Sequence, residues 1–480
     1  MKLKDLLQGI DILKMTADPQ MQINGLSSDT RETFAAGTLF VALSGFAVDG
    51  NRFIPMAKEK GAVAVVTAKK PELDIPYILV ENDRLTLARL AANFYDHPAD
   101  SMVMVGVTGT NGKTSVTWLL KQLLEKVTHE KVGLIGTMEN QIGDVVLDTD
   151  RTTPESIQLQ RLFARMRDAS CRYAVMEVSS HAIALHRVEG IRFAVGAFTN
   201  LTEDHLDFHQ TMEHYGETKA RLFASCEKAV VNHDCPWGQR MVAGRKIPVL
   251  STSVDGCADL MAKNVKYNRD GLDFTAVFGE KSAAVHVPIP GKFTAYNVLT
   301  VLGIALQLGI SLEDAAAALA EVKGVKGRVE VVPTPGKDYT LLIDYAHTPD
   351  GLENVLSAVR GFCKGRLIAV FGCGGDRDRK KRPIMGQIGV RLADIAVITS
   401  DNPRTEVPVA IIQDILAGVG DAQNFVAIEN RVDAIHYAME IAGKDDIIVL
   451  AGKGHETYQE VMGVKHHMDE REIVAEYLEN

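Results

Sequence analysis

SMVMVGVTGTNGKTSVTWLLKQLLEKV, residues 101–127, decides how the chain is read. It opens with a short valine-rich apolar run and closes with Val116, Leu119, Leu120, Leu123, Leu124 and Val127 at helical spacing. The spacing predicts a strand, a loop and a helix in succession. The loop Gly109, Thr110, Asn111, Gly112, Lys113, Thr114 has the chemistry of an anion cradle. Its glycines let backbone N–H groups crowd an anion, and the helix N-terminus adds a partial positive charge. Lys113 supplies a point charge and Thr114 a hydroxyl suited to magnesium. The strict phosphate-loop pattern places a glycine six residues before the lysine, where this chain has Val107, with Gly106 one place earlier. The stretch reads as a variant nucleotide phosphate loop, against the competing reading of an ordinary glycine-rich turn.

Composition sets the bounds around it. A chain of 480 residues is long enough for about three domains. A hydrophobic fraction of 46% with 24% charged residues is that of a soluble globular protein. The net charge of −10 argues against general nucleic-acid binding, which needs clustered lysine and arginine, and points to small-molecule partners. Six cysteines without a C-x-x-C pair fit a reducing compartment and provide neither a disulfide framework nor a structural zinc site. No apolar run reaches the length of a membrane span, so no membrane insertion and a cytoplasmic location are expected; a monomer is expected as well.

Before the loop, GTLFVALSG and AVAVVTA read as buried strands, and Arg84 to Tyr95 as a helix, giving a small α/β domain over residues 1–99. SSDTR (residues 27–31) and SGFAVDGNRF (44–53) read as surface turns, and DHPADS (96–101) as a linker. After the loop, VGLIGT, YAVMEVSSH and FAVGAFTNLTEDHLDFH are strands with polar tips. This is the rhythm of a mainly parallel sheet, whose ligands gather beyond the carboxyl ends. Glu177 closes one of these strands, where an acid can complete a magnesium site opposite Thr114. His205 and His209 have zinc-like spacing, but Leu206 stands where H-E-x-x-H needs glutamate. On chemistry alone His205 is a hydrogen-bonding residue, and Lys219, on a short helix over 213–223, belongs on a solvated face. LDFTAVF and AAVHVPI read as antiparallel strands, followed by an apolar helix and a second helix capped by Ser311. Residues 324–339 read as a second linker, closing a central domain over 100–330. Over 331–480, TLLIDYAHTPD, RLIAVFGCGGDRD, ADIAVITSDNPRTE and DIIVLAGKGHETY predict a second doubly wound sheet with four functional tips on one edge. The basic run Arg377 to Arg382 reads as a solvated helix start. The fold class is α/β throughout: a small N-terminal α/β domain, a central phosphate-loop domain with a mainly parallel sheet, and a C-terminal doubly wound, Rossmann-like domain.

Taken together, SSDTR, GTNGKTS, RTTP, EVSSHAIALHRVEG, TNLTEDHLDFH, HYGETKARLF, GRVE, DYAHTPD, GCGGDRD, DNPR and GKGHE resemble, in order and spacing, the Mur ligases, and within them those that add a diamino acid. The resemblance covers essentially the whole chain. It implies an ATP-dependent ligase of peptidoglycan precursor synthesis in which UDP-MurNAc-L-Ala-D-Glu is activated as an acyl phosphate and then joined to meso-diaminopimelate. It also implies the residues. For ATP these are Gly109, Thr110, Asn111, Gly112, Lys113, Thr114, Ser115, Asn297, Arg328 and Asp344. For the nucleotide dipeptide they are Thr30, Thr152, Thr153, Ser179 and Arg187. Magnesium would be held by Thr114, Glu177, His205 and Lys219, the last as a carbamate, and Lys113, Glu177, His205 and Lys219 would form the catalytic set. The diaminopimelate contacts would be Arg377, Asp401, Asn402, Pro403, Arg404, Gly452 and Glu456. An arginine in DNPR can fork onto the carboxylate that diaminopimelate has and lysine lacks, and Glu456 suits the distal ammonium. The alternatives are the same reaction with L-lysine or another diamino acid, a folylpolyglutamate-synthetase-like ligase, and a nucleotide switch that hydrolyses ATP.

Overall fold

The computed structural model describes residues 1–45, 48–268 and 271–479. Phe46 and Ala47, within the 44–53 turn, lie outside the described residues. The chain divides into two compact units, residues 1–251 with 303–309, and residues 252–302 with 310–480.

In the first unit the N-terminal region forms a five-stranded sheet in the order Lys14–Met15, Tyr77–Leu79, Ala62–Thr67, Thr38–Ala42, Gly25–Ser27. Its pairs are parallel except for the antiparallel edge strand Lys14–Met15. The two central strands are almost wholly buried, as their unbroken apolar runs predict. The helix Asp83–Phe94, capped by Asn82, buries Leu87, Leu90 and Ala91 against this sheet. Residues 96–101 are less a linker than a packed corner. Pro98–Ser101 forms a 3-10 turn, and Ala99 joins the core beneath the next sheet.

That next sheet is parallel where it matters for chemistry. Val103–Thr108 lies between Phe193–Phe198 and Tyr173–Glu177, and Val132–Ile135 follows Tyr173–Glu177. The register sets Glu177 beside Val107, one strand away from the start of the phosphate loop. The helix after the loop, Lys113–Thr128, buries Val116, Leu119, Leu120, Leu123 and Leu124, the positions its 3.6-residue period selects. Val107 is fully buried in the strand, and a Cβ on Gly106 would lie 2.8 Å from the Phe193 ring. The chain is thus still extended where the strict phosphate-loop pattern turns, and the glycine one place earlier serves packing rather than the loop.

In the second unit Leu260–Asn268, Gly271–Phe278 and Lys281–Val287 pair antiparallel, as expected. Ser311 caps Leu312–Leu319 by accepting the Asp314 N–H. The C-terminal sheet runs Glu330–Val332, Thr340–Asp344, Ile447–Ala451, Leu367–Phe371, Ile395–Ile398, Phe425–Ala427, all parallel except the first pair. The four expected tips therefore share one edge. The 324–339 stretch is not a plain linker: its Glu330–Val332 pairs with Thr340–Asp344 as a hairpin, because VEVV offers a short β-branched run between the glycines and prolines.

Candidate functional site

The phosphate loop is shaped by its glycines and by the neighbouring strand tip. Gly109 has φ +149°, and a Cβ there would meet Thr199 Oγ1 at 1.9 Å; Gly112, at φ +85°, starts the helix. Thr110 N–H donates to Asn200 O and Asn111 N–H to Asn200 Oδ1, both at 2.9 Å, while the Thr199 hydroxyl donates to Asn111 O at 2.6 Å. Thr199 and Asn200 stand in the quoted TNLTED motif yet are not among the expected site residues, because a threonine and an asparagine at a strand tip carry no charge to mark them.

Two ammonium groups converge on this loop. Lys113 Nζ donates to Gly109 O at 2.9 Å and Thr110 O at 2.7 Å, and Lys219 Nζ donates to the same Gly109 O at 2.9 Å. Lys219 is buried, not on a solvated face, and its ammonium lies 4.5 Å from the centre of the Tyr215 ring. Its helix, Met212–Ala220, buries Tyr215, Gly216, Thr218 and Lys219 on one face, and Lys219 lies on that packed face one turn after Tyr215. Burial, reinforced by Lys113 and opposed by Asp204, pulls the Lys219 amine well below the ordinary lysine range. Burial also pushes the Tyr215 hydroxyl up.

Glu177 is buried at its strand end, where it accepts the Thr137 N–H at 2.8 Å and the Thr137 hydroxyl at 3.0 Å. Thr114 and Glu177 line one small cleft together with Thr117, Trp118 and Gly136. His205 is half-exposed, with Nε2 3.4 Å from Asp204 Oδ2 and its ring 4.8 Å from that of His181. Among the described residues no hydrogen bond or ion pair joins it to Glu177, and no three His, Cys, Asp or Glu side chains form a cation site.

Beside Glu177 a polar group gathers the residues expected for the nucleotide dipeptide. The Thr137 and Thr152 hydroxyls lie 3.0 Å apart, Thr153 donates to Glu177 O at 2.8 Å, and Arg187 NH1 donates to Thr153 O at 3.0 Å. Ser179 N–H donates to Thr153 Oγ1 at 3.1 Å, and the Ser179 hydroxyl caps the next helix through Ala182 N. Arg187 is buried, pairs with Glu155 at 2.7 Å and keeps Nε without a protein acceptor among the described residues. Among the described residues no hydrogen bond joins Thr30 to this group; it stands in a loop where Ser27 donates to Glu32 at 2.6 Å. Both Ser27 and Thr30 are buried, so SSDTR is a built loop rather than a surface turn.

In the second unit Asp344 ends its strand buried and accepts the Val329 N–H at 2.8 Å. Burial raises its carboxyl, with Arg328 opposing. The Arg328 guanidinium lies 5.1 Å from the centre of the Tyr345 ring, and Asn297 is buried on the helix Lys292–Gln307. Val329, next to Arg328, has φ +46°, costly for a β-branched residue.

Along the same edge the GCGGDRD and DNPR tips are laced together. Gly375 N–H donates to Asn402 O at 2.9 Å, Arg404 NH1 to Gly375 O at 2.8 Å, and Asp376 accepts the Thr405 hydroxyl at 2.8 Å. A Cβ on Gly375 would lie 2.0 Å from Pro403 O. Arg377 is exposed, whereas Arg382, in the run expected to be solvated, is fully buried between Glu406 at 2.7 Å and Asp414 at 2.8 Å. The Arg382 hydrogen bond holds Glu406 down at about 2. From DNPR to GKGHE, Asn402 Nδ2 donates to Glu456 Oε2 at 2.8 Å. Gly452, at φ +117°, lies so close to Asp401 Oδ2 that a Cβ would come within 2.5 Å. Beneath them Arg431, paired with buried Glu470, donates to Ala451 O at 2.9 Å and bridges to Ser400 O at 3.4 Å, joining the two strand ends.

Three parts of the chain match described families: residues 22–95 the Mur ligase family catalytic domain, 107–305 the Mur ligase middle domain, and 327–454 the Mur ligase glutamate ligase domain. A UDP-N-acetylmuramoyl-L-alanyl-D-glutamate–2,6-diaminopimelate ligase of Clostridium acetobutylicum is 46% identical, over 100% of this chain and 99% of that one. The chain is a Mur ligase. A protein of the same name from Caldanaerobacter subterraneus is 45% identical over 100% of this chain and 99% of its own. A solved structure of a ligase of that name superposes with a TM-score of 0.74 at 31% identity, covering 100% of this Mur ligase and 99% of the other. As a Mur ligase the chain is an ATP-dependent enzyme. No described helix of this Mur ligase is long and apolar enough to cross a membrane.

Proposed function

We propose that this Mur ligase adds meso-diaminopimelate to the D-glutamate of UDP-MurNAc-L-Ala-D-Glu, releasing ADP and phosphate. It would act as a cytoplasmic monomer on small-molecule substrates, without nucleic acid. The observation that carries the choice of diamino acid is the lacing of DNPR to GKGHE. It holds Arg404, suited to a carboxylate, on the same edge as Glu456, suited to an ammonium. The names of the full-length relatives support the same reading.

In this reading residues 1–99 hold the uridine nucleotide, 100–330 the ATP and 331–480 the amine. A γ-carboxylate oxygen of the dipeptide attacks the γ-phosphorus, and the bond to the leaving ADP oxygen breaks. The diamino acid amine then attacks the acyl carbon, and phosphate leaves. Such a transfer depends on position and charge neutralisation. Lys113 would hold phosphate oxygens at the loop, Arg328 would add charge, Asp344 would face the ribose and Asn297 the adenine. Thr152, Thr153, Ser179 and Arg187 would orient the dipeptide, with the unpartnered Arg187 Nε left for an acceptor on it. Thr30 would contact the nucleotide.

Thr114 and Glu177 offer a hydroxyl and a carboxylate on one cleft, the oxygen donors that magnesium takes; His205 and a modified Lys219, which do not line that cleft, would complete the set. Magnesium, when bound, neutralises developing phosphate charge. The buried, neutral-leaning amine of Lys219 is a nucleophile for carbon dioxide: its nitrogen bonds to carbon, one oxygen takes the negative charge, and the proton passes to water.

The test is phosphate release from ATP with and without UDP-MurNAc-L-Ala-D-Glu, across a panel of diamino acids. Release is expected to need the dipeptide and to be fastest with meso-diaminopimelate. Release without the dipeptide would mark a nucleotide switch. Equal turnover with L-lysine would overturn the choice of amine.

A further inference from the structure

Lys453 lies inside the GKGHE tip, just past the strand Ile447–Ala451, and is fully buried. A buried ammonium needs acceptors around it. Lys453 Nζ has two, Asn402 Oδ1 at 3.0 Å and Glu456 Oε2 at 2.9 Å, and lies 5.5 Å from the centre of the Tyr458 ring. Asn402 closes the group. Its Oδ1 also accepts the Glu460 N–H at 2.9 Å, and its Nδ2 donates to the same Glu456 oxygen at 2.8 Å. Glu456 thus has Oε2 engaged twice, while its other oxygen has no hydrogen bond among the described residues. Next to this group Arg404 Nε lies 3.4 Å from Glu460 Oε2.

The edge therefore presents cations and anions already matched, Lys453 with Glu456 and Arg404 with Glu460. A bare ammonium reaching Glu456 meets a carboxylate whose charge is largely offset, and it has nothing to give Arg404. A zwitterionic end offers an ammonium to Glu456 and a carboxylate to Arg404, so its own charges match the pattern. We infer that Lys453 is a specificity-determining residue. Its ammonium offsets Glu456 and so favours an amino acid whose far end carries both ammonium and carboxylate over one whose far end carries an ammonium alone. This rests on reading that edge as the amine site.

The test compares kcat/KM for meso-diaminopimelate and for L-lysine in the full-length enzyme with ATP and the nucleotide dipeptide. Lys453→Met keeps an unbranched stem and removes the charge, and the diaminopimelate-to-lysine ratio is expected to fall about tenfold. Purely structural damage lowers both values together and leaves the ratio in place. In Lys453→Met/Glu456→Gln the anion goes too, and the ratio should return to the wild-type value or above. Lys453→Gln carries the same expectation as the methionine variant should the latter fail to fold. A ratio within about twofold of wild type in the single variants, or no recovery in the double variant, overturns the inference while leaving the reading of the site intact. A wild type that uses no diamino acid overturns the reading of the site and the inference with it.

Discussion

The phosphate loop and the C-terminal strand edge proposed as the amine site, the amine edge, handle buried cations in opposite ways. At the loop Lys219 is buried against a carbonyl, that of Gly109, which also accepts Lys113. A carbonyl dipole does not cancel a charge, so burial pushes the amine toward neutrality. At the amine edge the fully buried Lys453, Arg431 and Arg382 each meet a carboxylate, from Glu456, Glu470 and Glu406. In the first arrangement an amine leans toward neutrality beside the glycine-rich loop. In the second, ion pairs tie the loops together.

The sharpest way to break this comparison is Lys219→Ala. If the modified lysine supplies anionic oxygen, kcat should fall by about 10²–10³-fold and partly recover when short carboxylic acids are added. Low activity indifferent to those acids would remove the carbamate from the scheme. Next comes Arg404→Ala, which should lower kcat/KM for diaminopimelate by about 10²-fold, with KM for ATP little moved. A parallel loss in ATP affinity would mean that the arginine serves the loop fold instead.

The smallest effect concerns Glu406, whose carboxyl is held at about 2 by Arg382. An unfolded glutamate titrates near ~4.3, so the folded state binds the proton less readily. The stability from this pair is present above that value and lost as pH falls toward about 2. Glu406→Gln should lower stability at neutral pH by about 1–2 kcal/mol and flatten the acid side of a urea-midpoint-against-pH curve. An unchanged acid slope would show that the pair is not what carries the acid sensitivity.

Much of the fold is legible because the rules that make it are local. Apolar runs ending in glycine and polar residues mark the parallel strands, and their tips fall on one edge because a parallel sheet permits no other arrangement. The hairpin at Glu330–Val332 is less legible, since three residues give too short a pattern to separate from a loop. Thr137 is legible as the polar tip of VGLIGT but not as the residue that donates twice to Glu177, because that role exists only through a strand pairing distant in sequence.

The residue order by itself determined the phosphate loop, the alternation of strand and helix, and the motifs of a Mur ligase, because periodicity and residue chemistry act over a few neighbours. Tertiary structure alone decided which cations lose their water and what they meet. Lys219 and Arg382 read as solvated side chains in sequence, Lys453 has no reading there beyond its place in GKGHE, and all three are buried. The first rests on a carbonyl and the other two on carboxylates, and that difference in partner arises only when strands far apart in the chain lie side by side.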